Sequence, residues 1–223
     1  MLTLPHPGGC VARVGAMLVW INGPFGGGKT QTAHELHRRL PGSVLSDPEV
    51  AGFGLHRMMP PRLRTDFQDL SAWRQGVFEV LDLVLRKEEG PVVVPMTLVE
   101  PRYFEEIVGG LRERGHDVRH FALLARRETV LRRLSERGIV HSVRRKGVPP
   151  KRESFAVSKL DLCLDRLSGV EFGEHIHTDT LTVAQVADRV AASAGLTLAP
   201  NTDSALRGFV RRKWTSVKHI RFG

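Results

Sequence analysis

The chain has 223 residues, with 33 Lys and Arg against 24 Asp and Glu, which gives a formal net charge of +9 at pH 7. This length allows one α/β domain with a substantial core, and two cysteines are too few for a disulfide framework. The sequence contains neither a bilayer-spanning apolar run nor a secretory signal, so we expect a cytoplasmic protein. The positive charge favours polyanionic partners: nucleotides, anionic lipid or nucleic acid.

Residues 1–16 are predicted to be a disordered leader, with Met17 as a second candidate start of translation. From there, short apolar runs alternate with stretches of helical period, which indicates βαβ units around a parallel sheet. The predicted strands are 17–22, 44–46, 92–96, 118–125 and 171–177. The predicted helices are 29–40, 48–58, 71–87, 101–113, 128–137, 154–167 and 183–194, with Thr182 as N-cap of the last. We expect one domain over residues 17–200.

The first predicted strand leads into Gly23-Pro-Phe-Gly-Gly-Gly-Lys-Thr30, which satisfies the phosphate-loop pattern G-x-x-x-x-G-K-[ST] and is followed at once by a helix. Glycines let backbone N–H groups face phosphate oxygens, and the helix N-terminus adds a favourable dipole. Lys29 is predicted to contact the β and γ phosphates of ATP, and the Thr30 hydroxyl to ligate Mg²⁺. The predicted ATP-binding residues are Gly23, Pro24, Phe25, Gly26, Gly27, Gly28, Lys29, Thr30, Gln31 and Arg133.

Asp47 follows the second predicted strand, at the edge of the sheet where ligands bind in open α/β folds. Its carboxylate could accept the proton of an attacking hydroxyl or hold Mg²⁺ through water. Alternatively, it only caps the helix that begins at Pro48, and the two roles are compatible. After the third strand stands Thr97 instead of an acidic Walker B residue, which argues against ordinary ATPase chemistry. Thr97 is predicted to contact substrate or the metal shell, with capping of the next turn as the alternative.

Basic residues cluster around the fifth predicted helix: Arg126, Arg127, Arg132, Arg133 and Arg137. Arg133 and Arg137 project from one helix face, where they could stack on adenine and clamp phosphates, although a solvated basic helix is the alternative. We predict that they form the base of a lid at about 138–158. The predicted substrate residues between the second and third strands are Arg57, Phe67, Gln68, Trp73 and Arg74, although a tryptophan such as Trp73 is more often a core residue than a platform for a ligand.

Residues 201–223 combine an apolar stripe, which includes Phe209 and Trp214, with cationic flanks. This pattern is typical of an amphipathic helix that lies on anionic lipid, and the same face could instead pack on the domain. Nucleic-acid binding is not expected, because the aromatic and basic residues follow one helical stripe and match no recognition motif.

The sequence resembles the ATP-binding tunicamycin-resistance proteins of bacteria and, more broadly, small P-loop kinases. The resemblance rests on the phosphate loop and on four further segments: Glu35-Leu-His-Arg-Arg-Leu40, Ser46-Asp-Pro-Glu49, Val94-Pro-Met-Thr97 and His219-Ile-Arg221. The resemblance implies a three-layer P-loop kinase-like fold with a five-stranded parallel sheet ordered 2-3-1-4-5. It also implies that Asp47 is the acid beside the acceptor and that Arg133 and Arg137 are lid arginines.

The family further implies a ligand, tunicamycin, which is a uridine-containing lipidated nucleoside. We therefore expect an Mg-ATP-dependent phosphotransferase that acts on a nucleoside-type antibiotic, with Lys29, Asp47, Arg133 and Arg137 as catalytic residues. The alternative is a protein that binds ATP and sequesters the drug at the membrane without modifying it.

Overall fold

The fold is described from a computed structural model, which covers residues 16–142, 157 and 159–202, with side chains as far as Glu136 in the first range. Most of the predicted leader, of the predicted lid and of the C-terminal amphipathic helix lies outside these residues, as does the side chain of Arg137. These features stay predictions. Among the described residues, no helix combines the length and apolar character needed to cross a membrane.

Five parallel strands form one sheet in the order β2-β3-β1-β4-β5. The strands are β1 (Leu18–Asn22), β2 (Val44–Leu45), β3 (Val92–Pro95), β4 (Val118–Leu124) and β5 (Glu174–His177). All of β1 is buried because it is the central strand and both faces of the sheet are covered. The predicted strand order and P-loop kinase-like fold are confirmed.

Helices cover both faces of the sheet and so produce three layers. They are α1 (Lys29–Arg39), α2 (Pro48–Met58), α3 (Ser71–Lys87), α4 (Pro101–Phe104), α5 (Gly110–Glu113), α6 (Arg127–Ser142), α7 (Leu160–Leu167) and α8 (Val183–Ser193). A π-helical turn, Glu105–Gly109, joins α4 to α5. Leu18 and Trp20 of β1 pack towards α3 and the π-helical turn, whereas Val19 and Ile21 pack towards α1 and α8.

Two local predictions can be compared directly with the structure. Thr182 caps α8 through a reciprocal capping box with Gln185, as predicted. The fifth strand begins at Glu174 and not at residue 171, because Val170–Phe172 forms a 3₁₀ turn. Gly173 ends this turn at φ 74°, and a Cβ there would lie 2.8 Å from the backbone oxygen of His120. The turn therefore depends on glycine.

Two glycines of α2 allow a matched test of the packing between α2 and the segment that follows it. A Cβ on Gly52 would lie 2.5 Å from Cγ of Phe67, whereas a Cβ on Gly54 would meet nothing within 4 Å. We expect Gly52→Ala to lower the free energy of unfolding by about 1–3 kcal/mol through overpacking. Gly54→Ala should raise it by roughly 0.5–1 kcal/mol, because alanine favours the helix. Urea unfolding checks both values, and equal effects would contradict the described packing.

Candidate nucleotide and acceptor site

The phosphate loop connects β1 to α1, and its backbone conformation requires glycine. Gly23, Gly26 and Gly28 have φ values of 154°, 80° and 100°. A Cβ on Gly23 would lie 2.9 Å from the Leu123 oxygen, and one on Gly26 would lie 3.0 Å from Cγ of Leu134. Gly28 is the N-cap of α1 and supplies no capping side chain, and the first turn contains no acidic residue. The head of α1 is therefore suited to an anion.

Lys29 and Thr30 lie in the first turn of α1, next to this loop. The Lys29 side chain is buried, and its Nζ donates to the Pro24 oxygen at 3.2 Å. The same nitrogen lies 5.4 Å from the centre of the Phe25 ring. Thr30 is half-buried. The ammonium group thus lies over the loop, and its contact with phosphate stays a prediction.

The first residue of the loop is anchored by Asn22, a residue that the sequence analysis did not single out. The fully buried Asn22 amide accepts hydrogen bonds through Oδ1 from the backbone N–H groups of Gly23 (2.8 Å) and Leu98 (3.0 Å). Its Nδ2 donates to the Leu98 oxygen at 2.7 Å and to Nε2 of His120 at 3.2 Å. The Asn22 side chain therefore joins the carboxyl ends of β1 and β3 to β4.

Thr97 holds the other backbone group of the same loop residue. Its buried hydroxyl donates to the Gly23 oxygen at 2.8 Å. The sequence had suggested that Thr97 caps the next turn or contacts substrate or metal, and the observed hydrogen bond is neither of these. Contact with substrate or metal stays a prediction.

In the sequence, Asn22 is marked only as a polar residue at the end of an apolar strand, and this feature alone indicates no partner.

His120 completes the buried anchor. Its ring packs edge-on against Phe104 at a centroid distance of 4.7 Å and also contacts Phe172. Burial lowers its pKa from 6.5 to about 3. The ring is therefore neutral at pH 7, and Nε2 can accept the hydrogen bond from Asn22.

Asp47 ends the connection from β2 and caps α2. Its half-buried carboxylate accepts from the Glu49 N–H at 3.0 Å. The capping role is therefore observed. Because β2 and β1 flank β3 in a parallel sheet, Asp47 follows its strand at the same edge as the phosphate loop. Its proposed contact with the acceptor or with Mg²⁺ stays a prediction.

The predicted substrate residues around Phe67 form a connected group. The half-buried Phe67 ring lies 5.3 Å from the Trp73 ring and 5.9 Å from the Phe53 ring. Trp73 is 1% exposed and donates its indole N–H to the Pro48 oxygen, so it lies in the core, which was the alternative for this residue. Arg57 is exposed on the last turn of α2.

Gln68 and Arg74 connect the acceptor side to the loop. Gln68 Nε2 donates to the Thr97 oxygen at 2.9 Å, and Arg74 donates to the Gln68 oxygen at 2.6 Å. The buried Arg74 also pairs with Glu106 of the π-helical turn and lies 4.2 Å from the Tyr103 ring centre. The described contacts of Arg74 position this segment, and direct substrate contact stays a prediction.

The basic residues in and just before α6 contact α7 and the residues that directly follow β5. Arg133 donates to Thr178 through its hydroxyl (3.1 Å) and its backbone oxygen (2.7 Å), and partial burial lowers the pKa of Arg133. The backbone N–H and Nε of Arg126 donate to Asp179. Arg127 pairs with Asp161 of α7 at 2.8 Å. The predicted contacts of Arg133 with nucleotide, and of Arg137, are not tested by this geometry.

The depressed pKa of His120 gives a testable pH dependence. Between pH 6.5 and about 3, the unfolded chain binds a proton at this position and the folded chain does not, so stability falls as the pH falls. Above pH 6.5 the neutral His120 ring should contribute fully to the free energy of unfolding. Below pH 6.5 this free energy should fall by about 1.4 kcal/mol per pH unit. Unfolding of wild type and His120→Gln should be compared from pH 4 to 7. The wild type should show the steeper decline, and identical slopes would contradict the neutral buried ring.

Comparisons with known proteins agree with this geometry. A family profile described as an AAA domain matches residues 18–148. The tunicamycin resistance protein of Deinococcus radiodurans has a similar structure, with a TM-score of 0.65 and 35% identity over 83% of this chain and 99% of that one. No curated protein matches the chain.

Two more distant structures are similar in fold alone. A sugar kinase from Janibacter sp. is 18% identical over 82% of this chain and 96% of its own, with a TM-score of 0.56. An APS kinase of Mycobacterium tuberculosis, solved with AMPPNP and APS, is 15% identical, and the match covers 81% of this chain and 98% of the kinase chain, with a TM-score of 0.54. Because the profile covers more than half of the sequence and the Deinococcus protein is matched along nearly its whole length, the chain belongs to the tunicamycin resistance protein family of kinase-like P-loop proteins.

Proposed function

We propose that this protein is an ATP-dependent phosphotransferase that acts on a nucleoside-type antibiotic of the tunicamycin kind. One observation carries the proposal: a glycine loop with Lys29 at the head of α1 lies at the sheet edge where Asp47 follows β2. A phosphate-binding loop and a carboxylate at one edge are what phosphoryl transfer to a hydroxyl requires. Membership of the family supports the antibiotic as the acceptor.

The chain's own residues fit a magnesium nucleotide. Backbone N–H groups of the loop and of the first turn of α1 would bind phosphate oxygens, and Lys29 would exchange the Pro24 oxygen for a phosphate. The Thr30 hydroxyl would ligate Mg²⁺ and the Asp47 carboxylate would approach the ion only through water, and the ion would supply positive charge to the phosphates. Within the described residues, no group of His, Cys, Asp and Glu could hold a metal by itself, so we expect the ion to bind with the nucleotide.

Asp47 is proposed as the general base. The acceptor hydroxyl oxygen forms a bond to the γ phosphorus while the bond to the β–γ bridging oxygen breaks, and ADP leaves with that electron pair. The proton of the hydroxyl passes to the Asp47 carboxylate. The cap bond from the Glu49 N–H orients this carboxylate, which reduces the cost of placing the base.

A second candidate function is sequestration of the drug without chemical change. It is favoured by Thr97, which stands where many P-loop enzymes have an acidic metal-binding residue and which donates its hydroxyl to the loop backbone. In this case Mg-ATP would bind and stabilise a form that retains the drug. Peripheral attachment to anionic membrane through residues 201–223 would belong to this function, and it rests on sequence alone.

Phosphate transfer can be tested with γ-labelled ATP, Mg²⁺ and tunicamycin. We expect label in the drug with wild type and a loss of at least about 100-fold in rate with Asp47→Asn, because a positioned general base contributes roughly 10²–10⁴-fold. Asparagine is as good an N-cap as aspartate, so α2 should keep its stability.

Asp117→Asn is the matched control. Asp117 is exposed just before β4, at the opposite edge of the sheet, and it pairs with Arg119. This variant should transfer label at the wild-type rate. Tight drug binding without any labelled drug in wild type would contradict the enzyme and favour sequestration.

A further inference from the structure

An ion pair between two distant parts of the chain lies beside the candidate nucleotide site. Lys159 Nζ lies 2.8 Å from Oδ2 of Asp66. Lys159 directly precedes α7, and Asp66 caps the 3₁₀ turn Phe67–Asp69 of the acceptor side. The pair therefore joins the start of α7 to the segment that is proposed to recognise the acceptor.

The start of α7 is also packed against the phosphate loop. The buried Leu160 and the partly buried Leu164 share one apolar cluster with Phe25 of the loop and with Val130 and Leu134 of α6. These contacts fix the position of Lys159 relative to the loop.

The buried thiol of Cys163 lies one turn after Lys159 in α7, where the Cys163 N–H donates to the Lys159 oxygen. Burial raises the pKa of this thiol, whereas the positive charges of Lys29 and Lys159 lower it and the negative charge of Asp66 raises it. Lys29 of α1 and Lys159 therefore both contribute positive potential at this side chain, which lies on the helix packed against the loop.

The pair is further connected to the loop through hydrogen bonds. Asp66 Oδ1 accepts from the Gln68 N–H at 3.1 Å, and Gln68 donates to the Thr97 oxygen. Thr97 in turn donates to the Gly23 oxygen. Asp66 therefore has a fixed position on the acceptor side of the loop, while the partly exposed Lys159 has a long flexible stem.

We propose that Lys159 is a second phosphate-binding lysine, which Asp66 holds beside the loop until its ammonium group exchanges to the γ-phosphate of ATP. This inference rests on the proposed function. Lysine can make this exchange because a partly exposed ion pair is weak, whereas a triphosphate offers several negatively charged oxygens. The role differs from that of Lys29, which already lies over the loop.

The test is calorimetric binding of Mg-ATP and Mg-ADP to the full chain and to Lys159→Gln, Lys159→Arg and Asp66→Asn. Lys159→Gln should weaken ATP binding by about tenfold or more, the range of one charge-assisted contact, and ADP binding by less than about twofold. Lys159→Arg should retain ATP affinity within about threefold. Asp66→Asn should bind ATP as tightly as wild type or more tightly, because the Asp66 carboxylate then no longer competes for the ammonium group.

Three other results would contradict the proposal. If Lys159→Gln and Asp66→Asn weaken ATP and ADP alike, with matching losses in melting temperature, the pair is only a structural bridge and the proposal is wrong. Unchanged ATP affinity in Lys159→Gln also overturns it while leaving the proposed function intact. A wild-type chain that binds neither nucleotide overturns the proposed function and this inference together. Should Lys159→Gln not fold, the ATP-to-ADP affinity ratio of Lys159→Arg against wild type decides, and a fall of more than about tenfold in that ratio contradicts the proposal.

Discussion

The candidate site depends on how the first residue of the phosphate loop is held. The N–H of Gly23 donates to the Asn22 amide, and its oxygen accepts from Thr97, each at 2.8 Å. Both backbone groups of this glycine are thus used before the loop turns towards α1, and His120 fixes Asn22 from β4. A loop with its start fixed in this way can present its later N–H groups without reorganisation, which is what lowers the cost of binding phosphate.

The same anchor ties nucleotide and acceptor sides together. Thr97 accepts from Gln68 through its backbone oxygen, and the buried Arg74 holds Gln68 while it pairs with Glu106. Glu106 lies in the π-helical turn, a feature that often marks functional regions. A shift of the segment around Gln68 would therefore strain the loop, so buried contacts fix the position of this segment relative to the loop.

Local signals predicted much of this molecule from sequence. The bounds of α2 and α3 agree with the expected helices. A proline at the first helical position marks the start of α2, and a clear apolar period marks α3. The loop and the capping role of Asp47 also follow from short-range chemistry. The strand order came only from the family resemblance, since periodicity does not say which strands are neighbours.

What the sequence missed depends on long-range contacts. Asn22, Leu98 and His120 come from three elements, and nothing in the sequence near Asn22 indicates its partners. The contacts of the buried Arg74 with Gln68 and Glu106 were likewise not predicted, and its expected contact with substrate stays a prediction. The predicted start of the fifth strand was wrong for a related reason, because a 3₁₀ turn occupies Val170–Phe172 and the glycine that ends it, Gly173, lies close to His120.

The central claim is that loop amides and the Lys29 ammonium group bind a polyphosphate. The most direct measurement is calorimetric binding of Mg-ATP to wild type, Lys29→Ala and Lys87→Ala, the last being a lysine at the end of α3 that is remote from the loop in the sequence. We predict that Lys29→Ala weakens binding by about tenfold to hundredfold and that Lys87→Ala leaves it unchanged. Equal affinity of Lys29→Ala and wild type would contradict the account.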